Sequence, residues 1–403
     1  MKKLGLIVCF SLLLAGNIVS ARAQTPGSAS ATELTPQAAL TRLLSSPAIS
    51  PDWLAPSFTN QIPATRLEID IQQYEKALGP FVRVAGGGKN GVYLAIFEGG
   101  TLPALIALDD RGRIVELLFR APQTYSVDGA LAELRALPGQ VGFVVEENGK
   151  EIAGSGQDKQ LSAGSPRLSV LNALAAEVAR GRYRWSDTVK LAAASRSLPP
   201  GILQDWPAGS TLTIETLASL MFSIGDNTAT DSIIRLVGRE AIAPFAYSNV
   251  PFLTTRDMFV LKSKQNTELL DKWRESNSSQ RAMLAQLDRA PLPAAYDLDT
   301  TSTNVDVDWR YSNRQLCDLM SHVQSLQLTG IDPGVAAPSE WDRVAFAGGS
   351  DWGATSMTTW LVAKDGKNFC VSATWNETDR TIDQDTFDNA YLVLINSVRT
   401  ARR

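Results

Sequence analysis

The stretch GSPRLSVLNAL, residues 164–174, decides the fold that we predict for this chain. Ser165 and Pro166 are a common way to begin a helix, with serine as the N-cap and proline in the first turn. Leucine and valine then recur at helical spacing over residues 168–178. A serine at a helix start also lies where backbone N–H groups and the helix dipole can stabilise an oxyanion. The stretch is therefore either a simple helix start or part of a catalytic site.

Two further segments lie downstream. Gly225-Asp226-Asn227 stands between helical patterns over Thr213–Ile224 and Thr228–Val237, and Asp226-Asn227 can be read simply as a helix cap. Ala347-Gly348-Gly349-Ser350 follows a β-rich run over Arg343–Phe346. Its two glycines allow a close approach to the backbone, or form a bulge at a strand edge.

Together the three segments resemble the active-site motifs of the penicillin-binding and class A β-lactamase superfamily of serine hydrolases, in the family's order. The first motif is Ser-x-x-Lys, in which the serine attacks a carbonyl and the lysine helps to take its proton. Two alignments stay open. An ungapped match of residues 170–174 places Gly164 at the nucleophile position, whereas one deleted residue retains Ser165 there. Both place Arg167 in the region of the lysine, and a guanidinium stays protonated and cannot act as a base.

The second segment resembles the family's Ser-Asp-Asn motif, with Gly225 in place of the serine. The resemblance implies that this serine relays a proton to the leaving nitrogen, which glycine cannot do. Asp226 and Asn227 are both present, and Asn227 could still hold a ligand amide.

The third segment resembles the Lys-Thr-Gly or Lys-Gly-Gly-Ser strand, with Ala347 in place of the lysine. In the family this lysine attracts the substrate carboxylate. Gly348 and Gly349 match the glycines of the motif, and the backbone N–H of Ser350 would be the second oxyanion donor. The sequence also contains no Glu-x-x-Leu-Asn segment, which carries the deacylating glutamate of class A enzymes.

These changes predict an exported β-lactamase-like family member that is catalytically impaired, or a pseudoenzyme that binds a ligand or partner in the former cleft. The alternative is an active serine hydrolase that cleaves a β-lactam or ester through an acyl-enzyme on Ser165. The resemblance implies a small β-lactam-like, peptide or ester ligand. We expect no cofactor and no metal, since the cysteines and the single histidine have no recognised zinc spacing. A net charge of −4 gives no electrostatic case for nucleic-acid binding.

Five segments are predicted along the chain. Residues 1–23 have two lysines, an apolar run and an A-x-A cleavage site, which are typical of a secretory signal peptide. Residues 24–33 form a disordered mature terminus. A small α+β domain over 34–122 and a linker over 123–140 precede a β-lactamase-like domain over 141–403. No other run suggests a membrane anchor, so we expect a periplasmic or extracellular protein.

The predicted fold class is α+β or α/β. A hairpin at Asn148-Gly149, a helical middle, three strands and a closing helix indicate an antiparallel sheet flanked by helices, plus a helical subdomain. Segments 251–259 and 307–311 are similar to exported two-domain serine hydrolases, including the one encoded with clavulanic acid biosynthesis. That subgroup implies a steroid-isomerase-like or cystatin-like N-terminal domain.

Export implies an oxidising compartment, in which disulfides persist. Cys317 and Cys370 remain after cleavage of the signal peptide. The sequence does not show whether their Cα atoms are close enough for a bond. We predict two buried free thiols rather than one disulfide.

Overall fold

The computed structural model describes residues 34–87, 91–156, 160–275, 277–298, 307–377 and 381–400. The predicted signal peptide and disordered terminus lie outside these residues. Within them, no helix combines the length and apolar character needed to cross a membrane.

The first part of the chain places helices before an antiparallel sheet. The helices are α1 (Pro36–Ser45), α2 (Pro56–Thr59) and α3 (Ala64–Leu78). The strands are β1 (Phe81–Gly86), β2 (Val92–Phe97), β3 (Gly100–Leu108), β4 (Ile114–Phe119) and β5 (Gln123–Thr124). Strands β1 to β4 pair in chain order, and β5 pairs with β3. Leu40, Leu43 and Phe97 lie in the core between the helices and the sheet, because each helix is apolar on one side only.

The rest of the chain combines a second sheet with a helical region. In chain order its elements are α4 (Val127–Arg135), β6 (Gln140–Glu147), β7 (Lys150–Ser155), β8 (Gln160–Leu161), α5 (Arg167–Ala179), β9 (Thr188–Lys190), β10 (Thr211–Thr213), α6 (Ile214–Ser223), α7 (Asn227–Val237), α8 (Arg239–Ala246), α9 (Thr255–Leu261), α10 (Thr267–Glu275), α11 (Asn277–Leu287), β11 (Arg310–Tyr311), α12 (Asn313–Val323), β12 (Arg343–Asp351), β13 (Ala354–Val362), β14 (Asn368–Asn376) and α13 (Gln384–Thr400). Helix α4 lies within the predicted linker, yet it packs against α13 in the core of this part.

The second sheet has the strand order β12-β13-β14-β6-β7, and every pair is antiparallel. Helices α4 and α13 contribute to the core on one face, and α12 contacts β13 and β14. Helices α5 to α9 share a separate, larger core. The structure thus confirms an antiparallel sheet flanked by helices, with a helical region inserted between β7 and β12.

The third motif segment is part of a strand. Strand β12 continues through Ala347-Gly348-Gly349-Ser350 to Asp351, and it pairs with β13 without a register shift. The interpretation of the glycines as a bulge was therefore wrong. Glycine has no side chain to strengthen a strand pattern in the sequence, but the backbone of β13 supplies the pairing.

The prediction of two free thiols was also wrong. Cys317 on α12 and Cys370 on β14 form a disulfide, with their Cα atoms 5.8 Å apart. The two cysteines are 53 residues apart in the chain, and the packing of α12 on β14 brings them together. The bond links a helix of the second part to its sheet.

Candidate functional site

A cleft with a volume of about 530 Å³ lies between strand β12 and the helical region. The three predicted segments meet in its lining, which includes Gly164 with Arg167, Gly225 with Asn227, and residues 348–350. Much of the remaining wall is apolar. It includes Phe222, Ile224, Phe252, Phe259, Trp309 and Phe346.

Ser165 does not face this cleft. Its side chain is fully buried, and its Oγ hydrogen-bonds to Oγ of Ser356 on β13. Gly164 lines the cleft instead. The placement fits the ungapped alignment, which puts Gly164 at the nucleophile position. It does not fit the candidate role of Ser165 as nucleophile, because Oγ is enclosed by protein and paired with another hydroxyl.

Arg167 lines the cleft, with its guanidinium beside Gly164 and Gly225. Its Nη2 donates a hydrogen bond to the carbonyl oxygen of Gly225 at 2.9 Å. A Cβ placed on Gly164 would lie 2.6 Å from Nη1, and one placed on Gly225 would lie 2.9 Å from both Nη atoms. These distances are shorter than real Cβ contacts. Arg167 therefore fills the space in which side chains at positions 164 and 225 would begin.

A third glycine completes this arrangement. A Cβ on Gly349 would lie 2.8 Å from both N and Cα of Gly164. Gly225 also has φ +68°, a left-handed conformation that favours glycine. Gly164, Gly225 and Gly349 are referred to below as the glycine cradle. The start of α5 and strand β12 approach so closely because Gly164 and Gly349 both lack a side chain, whereas a Cβ on Gly225 would displace the end of the Arg167 side chain.

The second segment retains a structural role. Asp226 is the N-cap of α7, and its carboxylate accepts a hydrogen bond from Ala229 N at 2.8 Å. The same carboxylate accepts from Ile202 N at 2.7 Å and Leu203 N at 2.9 Å. Asn227 Nδ2 donates to the carbonyl oxygen of Leu198 at 3.0 Å. Both side chains hold the loop around residues 198–203 against the start of α7.

The third segment contributes backbone rather than side-chain chemistry. Ala347 is buried and packs in the core shared with the helical region. Gly348, Gly349 and Ser350 line the cleft. A methyl group thus stands at the position where the family motif has a charged lysine.

The charge of Arg167 is not neutralised by a close carboxylate. Among the described residues, the Arg167 side chain forms no ion pair, and its one hydrogen bond is to the carbonyl oxygen of Gly225. Burial lowers the pKa of Arg167 to about 10, although the nearby charge of Asp226 acts to raise it. The guanidinium is therefore protonated at neutral pH and cannot accept a proton.

A second charged cluster lies at the same cleft. Lys262 Nζ is 2.6 Å from Oδ1 of Asp308 and 3.0 Å from Oδ2 of Asp351. Burial acts to lower the pKa of Lys262, but the two aspartates together raise it above its usual value. Burial raises the pKa of Asp308 to about 6, against the opposing effect of Lys262. Sequence reasoning missed this cluster, since its members come from distant segments without a motif.

Comparison with known proteins bears on the segments that meet in the cleft. A model of the Beta-lactamase enzyme family matches residues 129–289, a span that includes the first two motif segments. Over this span, which is less than half of the chain, the protein is similar to that family. No match was found among curated protein sequences.

Several solved structures resemble this chain, each over 68% of its length. A β-lactamase from Sphaerobacter thermophilus is 18% identical, with 96% of its length covered and a TM-score of 0.45. A β-lactamase from Chitinophaga pinensis is 13% identical, with 98% covered and a TM-score of 0.47. An acyl-enzyme complex of PBP-A with penicillin G is 14% identical, with 95% covered and a TM-score of 0.46.

The second part of the chain brings the three predicted motif segments to one cleft, and the chemistry there differs from that of the motifs. A guanidinium and two glycines, from Arg167, Gly164 and Gly225, are found at or beside the positions that the motifs assign to a base, a nucleophile and a relay. Among the described residues, no group of three or more His, Cys, Asp or Glu side chains is arranged to hold a metal ion.

Proposed function

We propose that the β-lactamase-type domain binds a ligand in its cleft and forms no acyl-enzyme on Ser165. The observation that carries this proposal is the position of the Arg167 guanidinium within the glycine cradle. It occupies the place where a serine side chain at position 164 or 225 would begin. The arginine and the glycines depend on one another sterically, so they form one consistent arrangement rather than separate losses.

The chemistry of acyl transfer supports the same conclusion. A serine nucleophile needs a base within hydrogen-bond reach, and the base must be able to take a proton. The hydroxyl of Ser165 is paired with Ser356, and Arg167 is protonated at neutral pH. Gly225 offers no hydroxyl for a relay.

The alternative function is hydrolysis through Ser165. It requires the Ser165 hydroxyl to leave Ser356 and turn into the cleft, and it requires a base other than Arg167. This alternative makes the opposite prediction in the experiment described next.

Intact-protein mass spectrometry after incubation with a reactive β-lactam and with a fluorophosphonate tests the proposal. Wild type and Ser165→Ala are compared, and circular dichroism verifies that both are folded. We expect no added mass with either reagent. An adduct that maps to Ser165 and is absent from Ser165→Ala would contradict the proposal and establish the alternative.

We also propose that the protein is exported to the periplasm or the extracellular space. The signal-peptide pattern of residues 1–23 supports this, as does the Cys317–Cys370 disulfide, since such bonds persist mainly in oxidising compartments. Fractionation of cells that express the full chain tests it. We expect a shortened protein in the exported fraction, and a full-length cytoplasmic protein would contradict export.

A further inference from the structure

We propose that the cleft recognises a monocarboxylate with an apolar body, and that the carboxylate pairs with the guanidinium of Arg167. The inference rests on the proposed function, because it takes the cleft as a binding site. The first support is the unused hydrogen-bonding capacity of the arginine. A guanidinium has five N–H donors in a planar fork, and the described structure shows one hydrogen bond, from Nη2 to Gly225.

The nearest protein charge does not complete the pair. The carboxylate of Asp226 accepts three backbone hydrogen bonds, from Ile202, Leu203 and Ala229, and these hold it in the loop before α7. A cation in a largely apolar cleft is costly without a counterion. A carboxylate from a ligand matches the fork of the guanidinium and supplies the missing partner.

The position of Arg167 directs its charge into the cleft. Arg167 is the first residue of α5 and also lines the cleft. The helix dipole adds partial positive charge at the same end of α5. An anionic group that enters from the cleft therefore meets the charged side chain at the positive end of a 13-residue helix.

The apolar walls of the cleft favour an apolar body for the ligand. Aromatic and aliphatic side chains surround the floor, with Phe222 and Ile224 beside the Gly225 loop and Phe346 on β12. The volume of about 530 Å³ lies within the range of small-molecule pockets. An apolar chain or ring attached to the carboxylate would remove this surface from water, which is favourable.

The other charges of the cleft favour a monoanion. Asp308, Asp332 and Asp351 also line it, and Lys262 is the ion-pair partner of both Asp308 and Asp351. The cleft therefore carries carboxylates in excess of its cations. A dianion such as a phosphate monoester would meet one guanidinium and several like charges, so a single carboxylate fits better.

Isothermal titration of the mature chain with octanoate, 1-octanol and octyl phosphate tests the proposal. We expect octanoate to bind about tenfold more tightly than octanol, from one charge-assisted bidentate contact. Octyl phosphate should bind more weakly than octanoate. In Arg167→Met the advantage of octanoate over octanol should disappear. Arg184→Met is the matched control, since the Arg184 side chain is 83% exposed, and it should behave as wild type.

The comparison of octanoate with octanol in wild type is decisive even if Arg167→Met does not fold. Equal affinity for the two, no octanoate binding, or tighter binding of octyl phosphate would overturn the inference. So would an octanoate preference that persists in a folded Arg167→Met. These failures leave the proposed function standing. An adduct on Ser165 would overturn the proposed function whatever octanoate does.

Discussion

Two cations lie at one cleft, and the structure neutralises them differently. Lys262 contacts two carboxylates, from Asp308 and Asp351. Arg167 contacts one backbone carbonyl, and no carboxylate among the described residues pairs with it. A buried charge with protein counterions is part of the scaffold, whereas a charge without them is available to a ligand. The difference separates a structural cation from a binding cation, although neither is marked as such in the sequence.

The largest expected effect is the loss of stability in Lys262→Met. The substitution leaves the partly buried Asp308 without its cation, and breaking a buried pair in this way costs at most about 3–5 kcal/mol. Urea denaturation of wild type and variant measures the difference. Lys264→Met is the control, since Lys264 is exposed two residues away, and it should change stability by less than about 0.5 kcal/mol.

A second substitution sharpens this result. The double variant Lys262→Met/Asp308→Asn should recover part of the lost stability, because it removes the unpaired charge. Equal stability of Lys262→Met and Lys264→Met would show that Lys262 is not a structural cation.

The next effect concerns the glycine cradle. Gly225→Ala and Gly181→Ala both place a Cβ at a positive φ, +68° and +76°. Only the Cβ at position 225 meets Arg167, since nothing lies within 4 Å of a Cβ at Gly181. We expect Gly225→Ala to lose about 1 kcal/mol more stability than Gly181→Ala, because the added methyl group displaces the end of the Arg167 side chain and its hydrogen bond to Gly225.

The additional loss of stability in Gly225→Ala should disappear when Arg167→Ala is combined with each glycine substitution. A double-mutant cycle measures this change. If Gly225→Ala still loses more stability than Gly181→Ala in the Arg167→Ala background, the added methyl group clashes with something other than the guanidinium.

A smaller change is expected for the stability of Arg167→Met. The substitution removes one hydrogen bond but also removes the cost of a charge without a counterion. The free energy of unfolding should therefore change by no more than about 1 kcal/mol. A loss of stability as large as that in Lys262→Met would show that Arg167 is also a structural cation.

The smallest expected effect is a dependence of anion binding on pH. The pKa of Asp308 is about 6, so this carboxyl gains a proton between pH 7 and pH 5 and the cleft loses a negative charge. The other charged groups around Asp308 are Lys262, Asp351 and Arg310. The affinity for octanesulfonate, which stays ionised, should rise by about two- to fourfold over this range.

Titration calorimetry at pH 5, 6 and 7 measures this change. In Asp308→Asn the rise should be absent, because residue 308 no longer titrates. A lower affinity at pH 5 than at pH 7 in wild type would contradict the assignment.

Local patterns in the sequence predicted much of the fold. The hairpin turn at Asn148-Gly149 and helices α6 and α7 lie where the sequence patterns predicted them, because turn residues and apolar periodicity are local signals. The continuation of β12 through Gly348 and Gly349 was not predicted, because its pairing with β13 is a tertiary property. The Cys317–Cys370 bond was missed for the same reason.

The candidate site was predicted in location but not in detail. The order of the motifs in the sequence indicated which three segments meet in the cleft. The sequence could not choose between Gly164 and Ser165 as the residue that faces the cleft, because successive side chains at a helix start point in different directions. The steric fit of Arg167 against Gly164 and Gly225 appears only in three dimensions. Gly225 is 58 residues from Arg167 along the chain.

The most direct test of the central claim is an NMR titration of the ¹⁵N-labelled protein with octanoate, observing the arginine Nε–Hε signals. The Arg167 signal is identified as the one missing from the spectrum of Arg167→Lys. We predict that this signal shifts and saturates as octanoate is added, because the carboxylate joins the guanidinium. Octanoate binding without a shift of this signal would contradict the claim that the guanidinium of Arg167 pairs with the carboxylate of the ligand.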